Sequence, residues 1–172
     1  LIFAAICVIL IYAVLEPIRI RVNNLITTDP TSSVQWRIDL WQDVKDYIDE
    51  APIAGHGTGT ANELIMEKRG WQFGSSDPHN DYLKIWLENG LIGLSAYLTI
   101  IISLGYKLFI EYKKSRNSEL KNLLLICFSL TVAIGIMSFA DNIIRNTALM
   151  WSFWALTGAV FAVIRSKNIV KT

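Results

Sequence analysis

Long uncharged runs alternate with polar stretches along this chain, and the alternation sets its class before any single residue does. Residues 1–15 are apolar apart from Tyr12, and residues 91–110 carry one charge, Lys107, near their end. Residues 123–140 and 147–164 carry none. A helix needs roughly 17 to 25 predominantly apolar residues to cross the hydrocarbon core, so the last three runs are long enough to span a membrane. The first is too short by itself. It opens at Leu1 with no Met and no basic residue ahead of it, and Glu16, Pro17 and Ile18 follow it in place of a small-residue cleavage site. The expectation is therefore a truncated span rather than a leader, in a piece of a longer protein with helices upstream.

The pattern predicts an all-α, multi-pass integral membrane fold. Its segments are a truncated transmembrane helix at 1–15, an outer loop at 16–90 and a transmembrane helix at 91–110. A loop at 111–122, a transmembrane helix at 123–140, a turn at 141–146, a transmembrane helix at 147–164 and a tail at 165–172 follow. Basic residues orient it. Lys113, Lys114, Arg116 and Lys121 crowd the 111–122 loop, and Arg165, Lys167 and Lys171 the tail, whereas the 141–146 turn has only Arg145. Short loops rich in Lys and Arg stay in the cytoplasm, which places 16–90 and 141–146 outside.

Within the outer loop the period changes to that of amphipathic helices. Ser32 with Gln35 reads as a capping box, and Trp36, Leu40, Val44, Tyr47 and Ile48 recur at helical spacing, predicting a helix over 34–49 that Ala51-Pro52 ends. The run Gly55-His56-Gly57-Thr58-Gly59 reads as a flexible turn. Thr60 with Glu63 predicts a short second helix, stopped at Gly70. Asp77 as N-cap and Pro78 at the first helical position predict a third, with Tyr82, Leu83, Trp86 and Leu87 on its apolar face and His79 in its first turn.

Composition adds little to this. Apolar residues make up 52% and charged ones 18%, with a net charge of +1; it is their uneven spacing that carries the information. Cys7 and Cys127 both fall in apolar runs and read as packing residues, without a disulfide framework or a cysteine metal site.

Chemistry rests on few candidates. His79 at a helix start is held neutral by the positive end of the macrodipole, so it can accept a proton from a hydroxyl beside backbone N–H groups able to bind an anion. It also reads as an ordinary polar N-terminal residue. His56 between glycines is by default a loop residue. Arg37, flanked by Trp36 and one turn from Trp41, carries a fork suited to diphosphate oxygens, or else merely covers apolar surface with its stem. Arg19 and Arg21 suit headgroup anchors, while Lys68 and Arg69 complement the dipole of their own helix. Asp141 and Arg145, four apart, read as an i,i+4 or interfacial pair. The glycine run lacks the G-x-x-x-x-G-K-[ST] pattern of a nucleotide site, and Asp77, His79 and Asp81 make a weak metal set with no second histidine or cysteine at ligand spacing.

Taken together, these segments resemble a known family. His79-Asn80-Asp81-Tyr82-Leu83 followed by Glu88-Asn89-Gly90-Leu91-Ile92-Gly93 is similar to the H-N-x-Y-L…E-x-G-x-x-G signature of bacterial O-antigen ligases and the related polymerases. Arg37-Ile38-Asp39-Leu40-Trp41 and Pro52-Ile53-Ala54-Gly55-His56-Gly57-Thr58-Gly59 resemble the R-x-x-x-W and P-x-x-G-x-G-x-G segments that precede it there. The resemblance implies the C-terminal part of a membrane glycosyltransferase of the C type, in the bacterial inner membrane, serving lipopolysaccharide or other cell-surface polysaccharide biosynthesis. The implied donor is a glycan on undecaprenyl diphosphate, and the acceptor is lipid A-core or another glycan, with no cofactor, metal or nucleic-acid partner. His79 matches the catalytic histidine and Arg37 the diphosphate-binding arginine, with Asn80, Tyr82, Trp41, Gly57 and Glu88 in support. The family's other essential arginine lies in an earlier outer loop, so the fragment alone is expected to be inactive. A polymerase of the same family is the nearest alternative. A polysaccharide transporter or flippase is the main non-enzymatic one, although the spans lack the mid-bilayer ionisable residues such proteins use.

Overall fold

The structure is a computed structural model that describes residues 16, 20, 33–70 and 76–169. The 1–15 span, Cys7, Arg19, Arg21 and the Ser32 cap lie outside the described residues. Among the described residues every regular element is a helix: α1 (Ser33–Glu50), α2 (Ala61–Arg69), α3 (Asp81–Lys114), α4 (Ser118–Met137) and α5 (Thr147–Ile169). The chain divides into two compact units, residues Leu1–Gln42 and Asp43–Thr172.

The helix α1 forms where the apolar period predicts it, burying Leu40, Val44 and Ile48 at intervals of one turn. In α2 the same logic buries Ala61 and Ile65. Among the described residues three helices are long and apolar enough to cross a membrane: Asp81–Lys114, Ser118–Met137 and Thr147–Ser166. Their outward faces are apolar as well, with Ile102, Ile136 and Trp151 all strongly exposed. Such a surface is stable against lipid tails and costly against water, so the chain is a multi-pass membrane fragment.

Among the described residues two small cores lie between these spans. Leu108, Leu120, Leu124, Cys127 and Val160 form one, with Cys127 as a buried packing thiol, and Ile134, Ile143 and Phe153 form the other. The tight 115–117 connection is fixed by Asn117, whose side chain caps α4 by accepting from the Leu120 N–H at 2.8 Å.

The helix α3 is two helices meeting at a kink. Gly90 has φ 64° and ψ −168°, and the segments on either side of it join without a loop. The amphipathic helix expected before Gly90 thus runs directly into the apolar run that follows, which carries the geometry of the preceding segment into the membrane helix.

Candidate functional site

The 52–57 segment lies along the kink of α3 as a packed backbone strip rather than a flexible turn. Leu91 N–H donates to Pro52 O at 2.9 Å, Ile92 N–H to Ile53 O at 3.3 Å, His56 N–H to Leu87 O at 3.0 Å and Gly57 N–H to Glu88 O at 2.8 Å. Trp86 adds a side-chain bond, its Nε1–H donating to Pro52 O at 3.1 Å. The backbones approach so closely that a side chain on either facing glycine would collide. A Cβ on Gly55 would sit 2.5 Å from Glu88 O, and one on Gly90 would sit 2.0 Å from Ile53 O. Both residues also hold positive φ, which L side chains rarely adopt.

His56 is fastened within this strip. Its Nε2–H donates to Tyr47 O at 2.7 Å, with the two rings edge to face. Glu88, buried to 6% exposure, accepts from the Ala61 N–H at 3.3 Å and so caps α2 from a residue remote in the chain. Thr60, expected to cap that helix, instead donates its hydroxyl to Gly57 O at 2.7 Å. Lys68 and Arg69 serve more than the α2 dipole, because they pair with Asp46 and Asp43 of α1, each at 2.5 Å. The hydrogen bond that Lys68 donates to Asp46 is the main cause holding its ammonium above its usual range.

At the start of α3 the structure corrects the expected cap. Asn80 is the N-cap, in an extended conformation, its side chain accepting from Tyr82 N–H at 3.0 Å and Leu83 N–H at 3.1 Å. Asp77 is occupied elsewhere, pairing with Lys84 at 3.0 Å and with Arg145. His79 therefore precedes the helix instead of sitting in its first turn, and its φ of 49° makes it the only non-glycine residue with positive φ among those described. Such a conformation costs on the order of 1–3 kcal/mol, and functional sites are where it concentrates.

The His79 ring faces Asp141, Nδ1 lying 3.4 Å from Oδ1. The expected Asp141–Arg145 pair is thus replaced by two partnerships running from the α4–α5 turn to the residues before α3. The i,i+4 reading assumed a helix where the chain turns. Tyr82 braces the same corner, its hydroxyl donating to Gly135 O at 2.6 Å and its ring lying 4.4 Å from that of Phe139.

Asp81, weighed from sequence only as a weak metal ligand, is buried at 2% exposure. Its Oδ2 accepts from Ser138 Oγ at 2.8 Å, Ile143 N–H at 2.9 Å and Ile144 N–H at 3.1 Å, and its own N–H donates to Ser138 O at 2.8 Å. Asp77, His79 and Asp81 thus go to separate partners, and among the described residues no group of three or more His, Cys, Asp or Glu is placed to hold a metal. The signal for Asp81 was its place directly after a good cap residue, and its partners lie far along the chain.

Of the predicted residues, His79, Asn80 and Tyr82 gather where α3 begins, and Gly57 is hydrogen-bonded to Glu88. Arg37 and Trp41 lie on the part of α1 that belongs to the other compact unit, both half-buried and one helical turn apart.

Comparison with known proteins bears on this arrangement. The family model described as O-antigen ligase matches residues 1–98. A Rickettsia conorii protein named "Putative polysaccharide ligase" is 26% identical over 157 residues, covering 87% of this chain and 34% of that protein. A Rickettsia bellii protein of the same name is 26% identical over 87% of this chain and 35% of its own length. An uncharacterized Haemophilus influenzae protein is 32% identical over 135 residues, 74% of this chain and 31% of its own. The chain thus spans about a third of the length of these relatives. No solved structure matches it.

Proposed function

The chain belongs to the O-antigen ligase family, and from that premise we propose that it is the C-terminal part of a glycosyltransferase moving a glycan from a polyprenyl-diphosphate donor to an acceptor hydroxyl. The observation that carries the reading is the His79–Asp141 pair, at the end of the membrane helices where α3 begins and α4 turns into α5. A carboxylate accepting from Nδ1–H fixes the imidazole tautomer and puts the basic lone pair on Nε2.

In the proposed step the acceptor hydroxyl gives its proton to His79 Nε2 as its oxygen attacks the anomeric carbon. The bond from that carbon to the diphosphate oxygen breaks, and the lipid diphosphate leaves with the electron pair. A single displacement inverts the anomeric centre. The imidazolium that forms is stabilised by Asp141. Arg37 is assigned to the departing diphosphate, because a guanidinium forks onto two phosphate oxygens while charge develops there. Backbone conformation supports the assignment of His79: the strain at this one residue keeps its side chain out of the helix and turned to Asp141. No resident metal or nucleotide enters the step. The proposed site of reaction is the outer face of the bacterial inner membrane; the charge asymmetry of the loops supports the outer side, and family membership supports the membrane.

The test is transfer by the full-length protein in proteoliposomes supplied with an undecaprenyl-diphosphate glycan and either lipid A-core or a second lipid-linked glycan as acceptor. His79→Ala is expected to lower transfer by roughly 10²- to 10⁴-fold, the range of a positioned general base, at an unchanged membrane level. Wild-type transfer by that variant overturns the assignment, and the acceptor that is extended separates ligase from polymerase.

A further inference from the structure

We infer that Asp81 is a positioning residue for the transfer reaction, acting on His79 through Asp141. This rests on the reading of His79 given above. Asp81 is too buried to meet a substrate, yet its single Oδ2 gathers three donors from one turn. Ser138 lies on one side of that turn and Ile143 and Ile144 on the other, so the bonds pin both flanks of the short segment that carries Asp141. The fourth bond, from Asp81 N–H to Ser138 O, ties the same turn to the backbone.

Asp141 needs such external support. Its side chain is 63% exposed, so packing does little to hold it. Its backbone N–H donates to Met137 O at 3.0 Å, and its Oδ1 also accepts from Asn142 N–H at 2.8 Å, which orients the carboxylate within the turn but does not fix the turn against α3. Asp81, two residues from His79 in the chain, makes three of the side-chain bonds that do this. The opposing half of the pair is fixed at the same junction, His79 standing between Asp77, held by Lys84 and Arg145, and the Asn80 cap. The buried Asp81 carboxylate therefore holds the imidazole and the group that orients it at one junction, beside the Asp77–Arg145 pair and the Tyr82–Gly135 bond. Removing this acceptor leaves the buried Ser138 hydroxyl and Ile143 N–H unpaired.

A double-mutant cycle in the full-length enzyme tests the idea. Asp81→Ala is expected to slow transfer at saturating donor by about tenfold or more, which is about 1.4 kcal/mol in the barrier. Asp141→Asn is expected to slow it comparably. If Asp81 acts through Asp141, adding Asp81→Ala to Asp141→Asn costs less than a further twofold or so, since coupled residues are non-additive. Asp81→Asn, whose amide oxygen can take the place of Oδ2 and accept the same three bonds, should recover most of the rate. Should Asp81→Ala fail to accumulate, Ser138→Ala removes one donor and gives a smaller loss that again vanishes in the Asp141→Asn background. Full loss from Asp81→Ala or Ser138→Ala in both backgrounds makes their role merely structural and overturns the inference. Full activity of Asp141→Asn, with His79→Ala inactive, overturns it also while leaving the His79 reading intact. Activity in His79→Ala sinks that reading instead.

Discussion

Replacing Gly90 with alanine should detach the 52–57 strip from α3, and the cost can be worked from the geometry. The added Cβ would stand 2.0 Å from Ile53 O, 2.2 Å from Ile53 C and 2.6 Å from Ala54 N. All three are backbone atoms, so no rotamer change relieves the overlap and the strip itself must lift. Lifting it sacrifices the bonds to Pro52 O and Ile53 O and those donated by His56 and Gly57. At about 0.5–1.5 kcal/mol net for each bond, plus about 1–3 kcal/mol for a side chain at φ 64° and ψ −168°, the penalty is about 3–9 kcal/mol. Even the lower bound shifts the balance between docked and lifted states by more than roughly 100-fold. Amide hydrogen exchange across residues 52–60 of the full-length protein in detergent reads this directly, with much faster exchange expected in Gly90→Ala. Gly59→Ala is the control, because nothing lies within 4 Å of a Cβ there and only its φ of 91° opposes the change. That left-handed strain costs roughly 1–2 kcal/mol. Wild-type exchange rates in Gly90→Ala, or equal effects of the two substitutions, would refute the close-approach argument.

Two further substitutions address single links of the site. Arg37→Lys should abolish or severely slow transfer in the full-length enzyme, because a point charge does not reproduce the guanidinium fork; normal turnover of the lipid-linked donor would mark Arg37 as structural. Asn80→Ala removes the acceptor of two N–H groups at the start of α3 and should destabilise the protein by about 1 kcal/mol, within a range of 0.5–2. An unchanged thermal unfolding midpoint for that variant would show that the cap contributes nothing measurable.

The membrane helices were legible in the sequence because hydrocarbon tolerates few charges, and three runs of sufficient length, two uncharged and one with Lys107 alone, leave little other reading. Helix α1 was legible to within a residue at each end, since its apolar positions recur every turn. The start of α3 was not. Asp77 and Asn80 are both good caps, and the choice between them fell to partners remote in sequence: Arg145 draws Asp77 away, while His79 breaks the helical path that Pro78 would have begun. The same blindness hid the His79–Asp141 and Asp81–Ser138 contacts, whose members lie 62 and 57 positions apart. Local spacing carries no information at that range. The glycine run was legible in part. Its glycines adopt the positive φ that they permit, and only the facing backbone of α3 shows that Gly55 also serves a close approach.

The interlocked strip and kink impose a rule on anyone recombining this protein with its relatives. Neither segment can be exchanged alone, because each supplies the hollow into which the other's main chain fits, and a bulkier residue on one side has no compensating trim on the other once both are already glycine. Residues 52–57 and 87–92 should therefore travel between chimeras as one cassette despite the helix that separates them in the chain. Crossovers placed between the two are expected to yield protein that inserts in the membrane yet lacks an ordered segment ahead of its first long membrane helix.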